Sequence, residues 1–212
     1  MMKLVEEALY LIGVIVVLTT VYLVGQAYYK PIIRVQGLQS FLIGGLSASL
    51  YFITGRIDNL ILALEVISLR GIGVTFTLER AVKGRYGYRE TVRGVASLLV
   101  ADLILVSAVI VVSTFFQRVV ASSVMFPEDV ILAIIVIFQG LALAMLRKGT
   151  IPQIIGYVEQ ENGIVMLGLF LISLPLLIET SALLDVLALV ILSYIIVREK
   201  PEHDRKIDEL VG

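Results

Sequence analysis

The chain of 212 residues has no cysteine, no tryptophan and a single histidine. Without cysteine there is no disulfide, no iron–sulfur ligation and no thiol nucleophile. His203 stands alone in a polar tail and cannot build a His-rich metal site, so no metal and no cofactor is expected. Charge is scarce as well: Asp, Glu, Lys and Arg make up 17% of the chain, against about 25% in ordinary soluble domains. The net charge is −1 and no dense basic block occurs, which argues against a nucleic-acid partner. What fills the chain instead is apolar: 58% hydrophobic residues and a mean hydropathy of +0.98. Such a composition belongs to an all-α, polytopic membrane protein.

A helix needs roughly 20 mostly apolar residues to cross the hydrocarbon core. Seven windows qualify, at about 8–28, 34–54, 58–79, 95–116, 130–147, 151–175 and 179–197. The first is read as a retained span because Met1 to Glu7 lacks a basic leader and no small-residue cleavage site follows.

Basic residues orient the spans. With the N-terminus outside, the inner segments hold Lys30, Arg34, Arg80, Lys83, Arg85, Arg89, Arg93, Arg147, Lys148, Arg198, Lys200, Arg205 and Lys206. The outer segments hold Lys3, Arg56 and Arg118, so the balance is thirteen to three, with Arg70 inside a span. The expectation is seven transmembrane helices, N-terminus out and C-terminus in. The inner loop Lys83 to Gly94 reads as a topology anchor or as a docking surface for a cytoplasmic partner.

One window is unusually polar. GYVEQENGIV, Gly156 to Val165, puts Glu159, Gln160, Glu161 and Asn162 in a row. If these residues formed an aqueous loop, the eight residues Ile151 to Val158 before it would reach only about 12 Å, too short to cross. A single span beginning near Ile151 is therefore expected to carry the acids into the membrane. At mid-membrane an ionised acid costs on the order of 3 kcal/mol on insertion scales. Gln153, Tyr157 and Glu161 recur every four residues and should form one inward stripe. Glu161 is then the interior group, and Glu159, roughly opposite, lies nearer headgroups or a neighbouring subunit. Asn162-Gly163 is a candidate helix break, since both residues tolerate left-handed geometry.

Other windows carry isolated polar groups: Gln39, Glu65, Arg70, Asp102, Gln139 and Asp185. Each is either a packing bond between helices or part of an ion pathway. For Gln39, Gln139 and Asp102 the two readings are balanced; Glu65, Glu161 and Asp185 favour the pathway, because an acid is a costly packing group. Glu65 and Arg70, five apart, are poorly placed to pair on one α-helix. Gly44, Gly45, Gly71 and Gly73 are expected to permit close helix packing.

Windows one to three and five to seven also look alike. Lys30 and Pro31 precede Gln39 much as Arg147, Lys148 and Pro152 precede Gln160 and Glu161. An acid follows in each set, Glu65 at 26 residues from Gln39 and Asp185 at 24 from Glu161. Both triplets would start outside and end inside, with the fourth window returning the chain. The resulting division is a first three-helix unit at 1–80, an interfacial loop and linking helix at 81–129, a second three-helix unit at 130–200 and a tail at 201–212.

The run RKGTIPQIIGYVEQENGIVMLGL, Arg147 to Leu169, resembles the signature of membrane component E of hydrogenase-4 and formate hydrogenlyase-type complexes. The matching positions are Arg147, Gln153, Ile154, Gly156, Tyr157, Glu161, Asn162 and Gly163, with LQSFL (Leu38 to Leu42) and LLDVLALVI around Asp185 as further matches. The second half is similar to the K subunit of respiratory complex I and to the C subunit of multi-subunit cation/proton antiporters. That resemblance implies a non-catalytic membrane subunit of a group 4 nickel–iron hydrogenase-type complex, in the plasma membrane of a prokaryote, partnered by other membrane subunits. It implies that Glu161 and Asp185 lie on a polar axis for protons or sodium ions; Glu65, which has no match in the family, Gln39 and Glu159 are added to that pathway as polar groups within the spans. Arg70, Arg147 and Lys148 would tune the acids by proximity. An independent small transporter and a structural scaffold are the alternatives. A membrane enzyme has least support, because no nucleophile–base set is visible.

Overall fold

The computed structural model describes residues 2–85, 94–120, 127–171, 181 and 183–185. Among these, regular structure is helical throughout: α1 (Met2–Gly25), α2 (Tyr29–Thr54), α3 (Asp58–Glu65), a π-helical segment (Val66–Val74), α4 (Thr75–Arg85), α5 (Val95–Val120), α6 (Pro127–Leu146) and α7 (Thr150–Leu171). α3, the π segment and α4 follow one another without a gap, as a single rod. Helices are the form in which an apolar segment satisfies every backbone polar group without water.

Five helical stretches are long and apolar enough to cross a membrane: Glu7–Gly25, Tyr29–Thr54, Asp58–Val82, Ala96–Phe115 and Asp129–Leu146. They lie over the first five expected windows, and they mark the chain as a membrane protein. α7 covers the start of the sixth window, and its polar run keeps it below the hydropathy of the other five. The seventh window, apart from 181 and 183–185, lies outside the described residues, as do the centre of the inner loop (86–93) and the tail. Many large apolar side chains face outward, among them Leu18, Phe52, Leu64, Phe76, Ile104, Phe115 and Met145. Lipid or a partner helix tolerates such a surface, whereas water does not.

Local chemistry sets the turns. α2 ends at Gly55, whose φ of 65° is left-handed and whose N–H donates to Tyr51 O at 2.8 Å. Only glycine takes that geometry without a Cβ penalty. Across the hairpin that follows, Asn59 Nδ2 donates to Thr54 Oγ1 at 2.9 Å, and Ser47 Oγ donates to Asn59 O at 2.8 Å. α6 and α7 pack most intimately. A Cβ on Gly156 would meet Ala144 N at 2.5 Å and Gly140 O at 2.8 Å, and one on Gly163 would meet Ile137 N at 2.7 Å. Gly140, Gly156 and Gly163 thus let two backbones touch.

That use of Gly163 corrects the expected helix break at Asn162-Gly163. α7 is continuous through both residues, and neither has a positive φ. The close-packing expectation for the other glycines holds in part. Gly44 faces Ile67 and Gly71 faces the Phe41 ring, but Gly45 has nothing within 4 Å and Gly73 meets only Ser68 O of its own rod.

The core has three layers. One apolar cluster joins Leu9 and Val16, Ile43, Leu46 and Leu50, Leu62 and Val66, Val136, and Val165, Met166 and Phe170. A second joins Leu23 and Val24, Ile32 and Ile33, Val74 and Leu78, Leu143, and Ile151, Ile155 and Val158. On each of α1, α2, α6, α7 and the α3–α4 rod, buried polar residues fall between the two clusters: Thr20, Gln36, Gln39 and Ser40, Gln139, Glu159, Glu161 and Asn162, and Arg70. A polar layer is therefore sealed between two apolar plugs at mid-helix.

Candidate functional site

Arg70 is the centre of the polar layer. Its side chain is 1% exposed, one of the largest fully buried groups in the molecule. Its Nε donates to Asp185 Oδ1 at 2.5 Å, its Nη2 to Ser181 Oγ at 2.8 Å and its Nη1 to Asn162 Oδ1 at 3.5 Å. Glu161 Oε2 lies 3.7 Å from the same Nε, an ion pair without a hydrogen bond. The guanidinium fork suits this task, since its donors diverge toward several acceptors at once. One cation thus meets two acids, and the second oxygen of each, Asp185 Oδ2 and Glu161 Oε1, has no hydrogen-bond partner among the described residues.

Glu65 joins the cluster because of the π segment. The i→i+5 bonding of a π-helix places residue i+5 roughly above residue i, which brings Glu65 and Arg70 to one side of the rod. Half-buried Glu65 faces Arg70, Asp185 and Ser181. Even so, the two close no ion pair with each other, as their spacing led one to expect; Arg70 finds its partners, Asp185 and Glu161, on other helices. Single π turns are frequent at functional sites. The glycines of RGIG, Gly71 and Gly73, fall within this one.

From Arg70 the polar contacts continue through α7 to α2 and α1. Asn162 Nδ2 lies 3.5 Å from Gln39 Oε1 and 3.4 Å from Ser40 Oγ, and Gln36 Nε2 donates to Ser40 Oγ at 3.0 Å. Gln39 Nε2 faces Thr20 Oγ1 at 2.7 Å, Val16 O at 2.9 Å and Thr19 Oγ1 at 3.0 Å. Thr20 Oγ1 in turn lies 3.2 Å from Glu159 Oε2. Asp185, Arg70, Asn162, Gln39, Thr20 and Glu159 therefore form one line across the bundle, with Glu65 beside its Arg70 end.

Several expectations change here. Glu159 is wholly buried, at 0% exposure, and not at the periphery; α7 has helices packed around it, so the side opposite Glu161 is interior too. The stripe Gln153–Tyr157–Glu161 goes inward only at its Glu161 end. Gln153 is exposed and donates to Arg147 O at 2.9 Å, while Tyr157 is half-buried beside Glu161 without closing a hydrogen bond to it. Arg147 is buried, and its guanidinium donates to Val24 O and Gln26 O, each at 3.0 Å, at the carboxyl end of α1. Cations there complement the helix dipole. Lys148 is exposed. Of the three basic residues expected to tune the acids, Arg70 is the one seen touching them. Asp102 and Gln139 pair with each other, Nε2 to Oδ2 at 3.0 Å, and tie α5 to α6.

Thr20, Ser181 and the π segment were not foreseen. The Thr19-Thr20 pair in an apolar window was the available signal for the first. Among the described residues no cluster of three or more His, Cys, Asp or Glu is arranged to hold a metal ion. No family model, curated protein or solved structure matches the chain.

Proposed function

We propose that the chain is a non-catalytic membrane subunit of a complex I-related, group 4 nickel–iron hydrogenase or formate hydrogenlyase-type assembly in a prokaryotic plasma membrane. In this reading it crosses the bilayer seven times, N-terminus out and C-terminus in, and its buried acids serve proton or sodium translocation. The observation that carries the reading is Arg70, buried at mid-rod between Asp185 and Glu161. A charged cluster at that depth is expensive, and such groups typically mark ion or proton pathways. A single cation shared by two acids can lean toward either one, so a proton arriving at Asp185 would turn Arg70 toward Glu161.

The expected duplication fits the same reading. α1 packs on α6, α2 packs on α7, and Arg70 of the third rod holds Asp185 of the seventh window. Elements that such a repeat would make equivalent are thus neighbours, and a parallel repeat would place its polar site near the midplane between them. The two apolar plugs above and below favour movement along the layer, within the membrane plane, over direct passage across it.

The test is affinity purification of the tagged chain from its native membrane in mild detergent. Recovery of a nickel–iron large subunit with an antiporter-like chain is the expected result. Purified chain that transports ions alone in liposomes would replace this reading with that of an independent transporter.

A further inference from the structure

Glu65 differs from the other deep charges of the bundle in where it faces. Arg70, Asp102, Glu159 and Glu161 are buried. Glu65 is half-exposed, although it lies roughly 10 Å from the start of the span Asp58–Val82 at 1.5 Å per residue. Partly exposed Lys30, Arg34, Glu79 and Arg80 all lie nearer to a span end.

The Glu65 carboxyl is poorly served by its own chain. It closes no ion pair, and its Oε1 has no hydrogen-bond partner among the described residues. Arg70 directs its donors elsewhere: Nε to Asp185 with Glu161 beside it, Nη2 to Ser181 and Nη1 to Asn162. A carboxyl accepts hydrogen bonds in either ionisation state, so its need for a donor does not turn on that state. Lipid tails offer none.

The surface around Glu65 suits a helix. Ile61, one turn before it, and Leu64 are 49% and 70% exposed, and Ile72 is 56% exposed. Ser68 is exposed as well, and its hydroxyl donates to Glu65 O at 3.3 Å. A Cβ on Gly73 would meet Ser68 O at 3.3 Å and no other helix. Apolar side chains with small residues among them are what one membrane helix offers another.

We propose that this face of the rod is a docking surface for a transmembrane helix of a partner subunit, and that the helix presents a lysine or arginine to Glu65. Glu65, Asp185 and Glu161 stand around a single guanidinium, so a cation is the complementary donor. A second copy of this chain does not bring one: the described cation at this depth is Arg70, which is 1% exposed and engaged with its own acids. The surface deepens the membrane-subunit reading, on which it rests, and is independent of which assembly the chain serves.

Photo-leucine, a diazirine isostere, in place of Leu64 of the full chain in its native membrane tests this. Illumination should join the chain to a membrane helix of a different protein, with a lysine or arginine within a turn of the crosslinked residue. Glu65→Lys should then lower co-purification of that protein by about tenfold or more, and changing the partner's basic residue to glutamate should restore it. Should Glu65→Lys fail to fold, the sequence of the crosslinked helix decides. Adducts with lipid alone, with a second copy of this chain or with a helix lacking a basic residue at that level overturn the proposal, as does undiminished recovery of the partner with Glu65→Lys. A basic partner helix recovered without a nickel–iron large subunit leaves this surface standing and counts against the proposed assembly. Recovery of that large subunit with only lipid adducts at position 64 does the reverse.

Discussion

Arg70 and Asp185 are 115 positions apart in sequence, yet Arg70 Nε donates directly to Asp185 Oδ1 inside the bundle. The bond ties the third rod to the segment beyond α7. It also leaves Glu161 as a second carboxylate at 3.7 Å from the same nitrogen.

That sharing predicts an asymmetry. Arg70→Met leaves two buried acids without a cation and should destabilise the chain by about 3–5 kcal/mol, the cost of breaking a buried pair. Asp185→Asn leaves Arg70 with Glu161 at hand and should cost less. Thermal unfolding of both variants in the same detergent measures the order, and equal losses would contradict the shared-cation description.

For function, Glu161→Gln keeps the shape of the side chain and removes its charge. The assembled complex should form at wild-type level while ion translocation per complex falls by roughly tenfold or more, the lower range for loss of a proton-transfer group. Undiminished translocation removes Glu161 from the pathway.

Packing yields a sharper contrast. Gly156→Ala would press a methyl group against Ala144 N and Gly140 O, backbone atoms that cannot move aside, and should cost about 1–3 kcal/mol or more. Gly45→Ala has open space and should stabilise α2 by up to about 1 kcal/mol through helix propensity alone. Melting temperatures that shift in the same direction for both variants would refute the close α6–α7 contact.

Arg147 acts on α1 in this structure. Arg147→Ala strips the Val24 and Gln26 carbonyls of their charged donor and should lower stability by about 2 kcal/mol or more. Arg147→Lys should recover only part of this, since one ammonium does not reproduce the fork. Hydrogen exchange at the α1–α2 junction should quicken in the alanine variant; an unchanged rate would count against the cap.

The Asp102–Gln139 hydrogen bond joins α5 to α6, and a packing role is expected for it. Asp102→Asn preserves its hydrogen bonding and should change translocation per assembled complex by less than a factor of about two, with a stability effect near 1 kcal/mol. A collapse of translocation on a par with Glu161→Gln would move Asp102 into the pathway.

Composition and periodicity alone were enough for the helical class and for the first five apolar spans, because a bilayer demands long runs of apolar residues and closed backbone hydrogen bonding. They also placed Glu161 and its neighbours within a helix, since no loop at Glu159–Asn162 leaves segments long enough to cross. The depth of Glu159, the carbonyl-capping role of Arg147 and the meeting of Arg70 with Asp185 were decided only by tertiary packing. A one-helix projection shows which side a residue takes, but not whether another helix covers that side. The π segment, Val66–Val74, belongs with these: neither its residues nor their spacing marked it in the sequence.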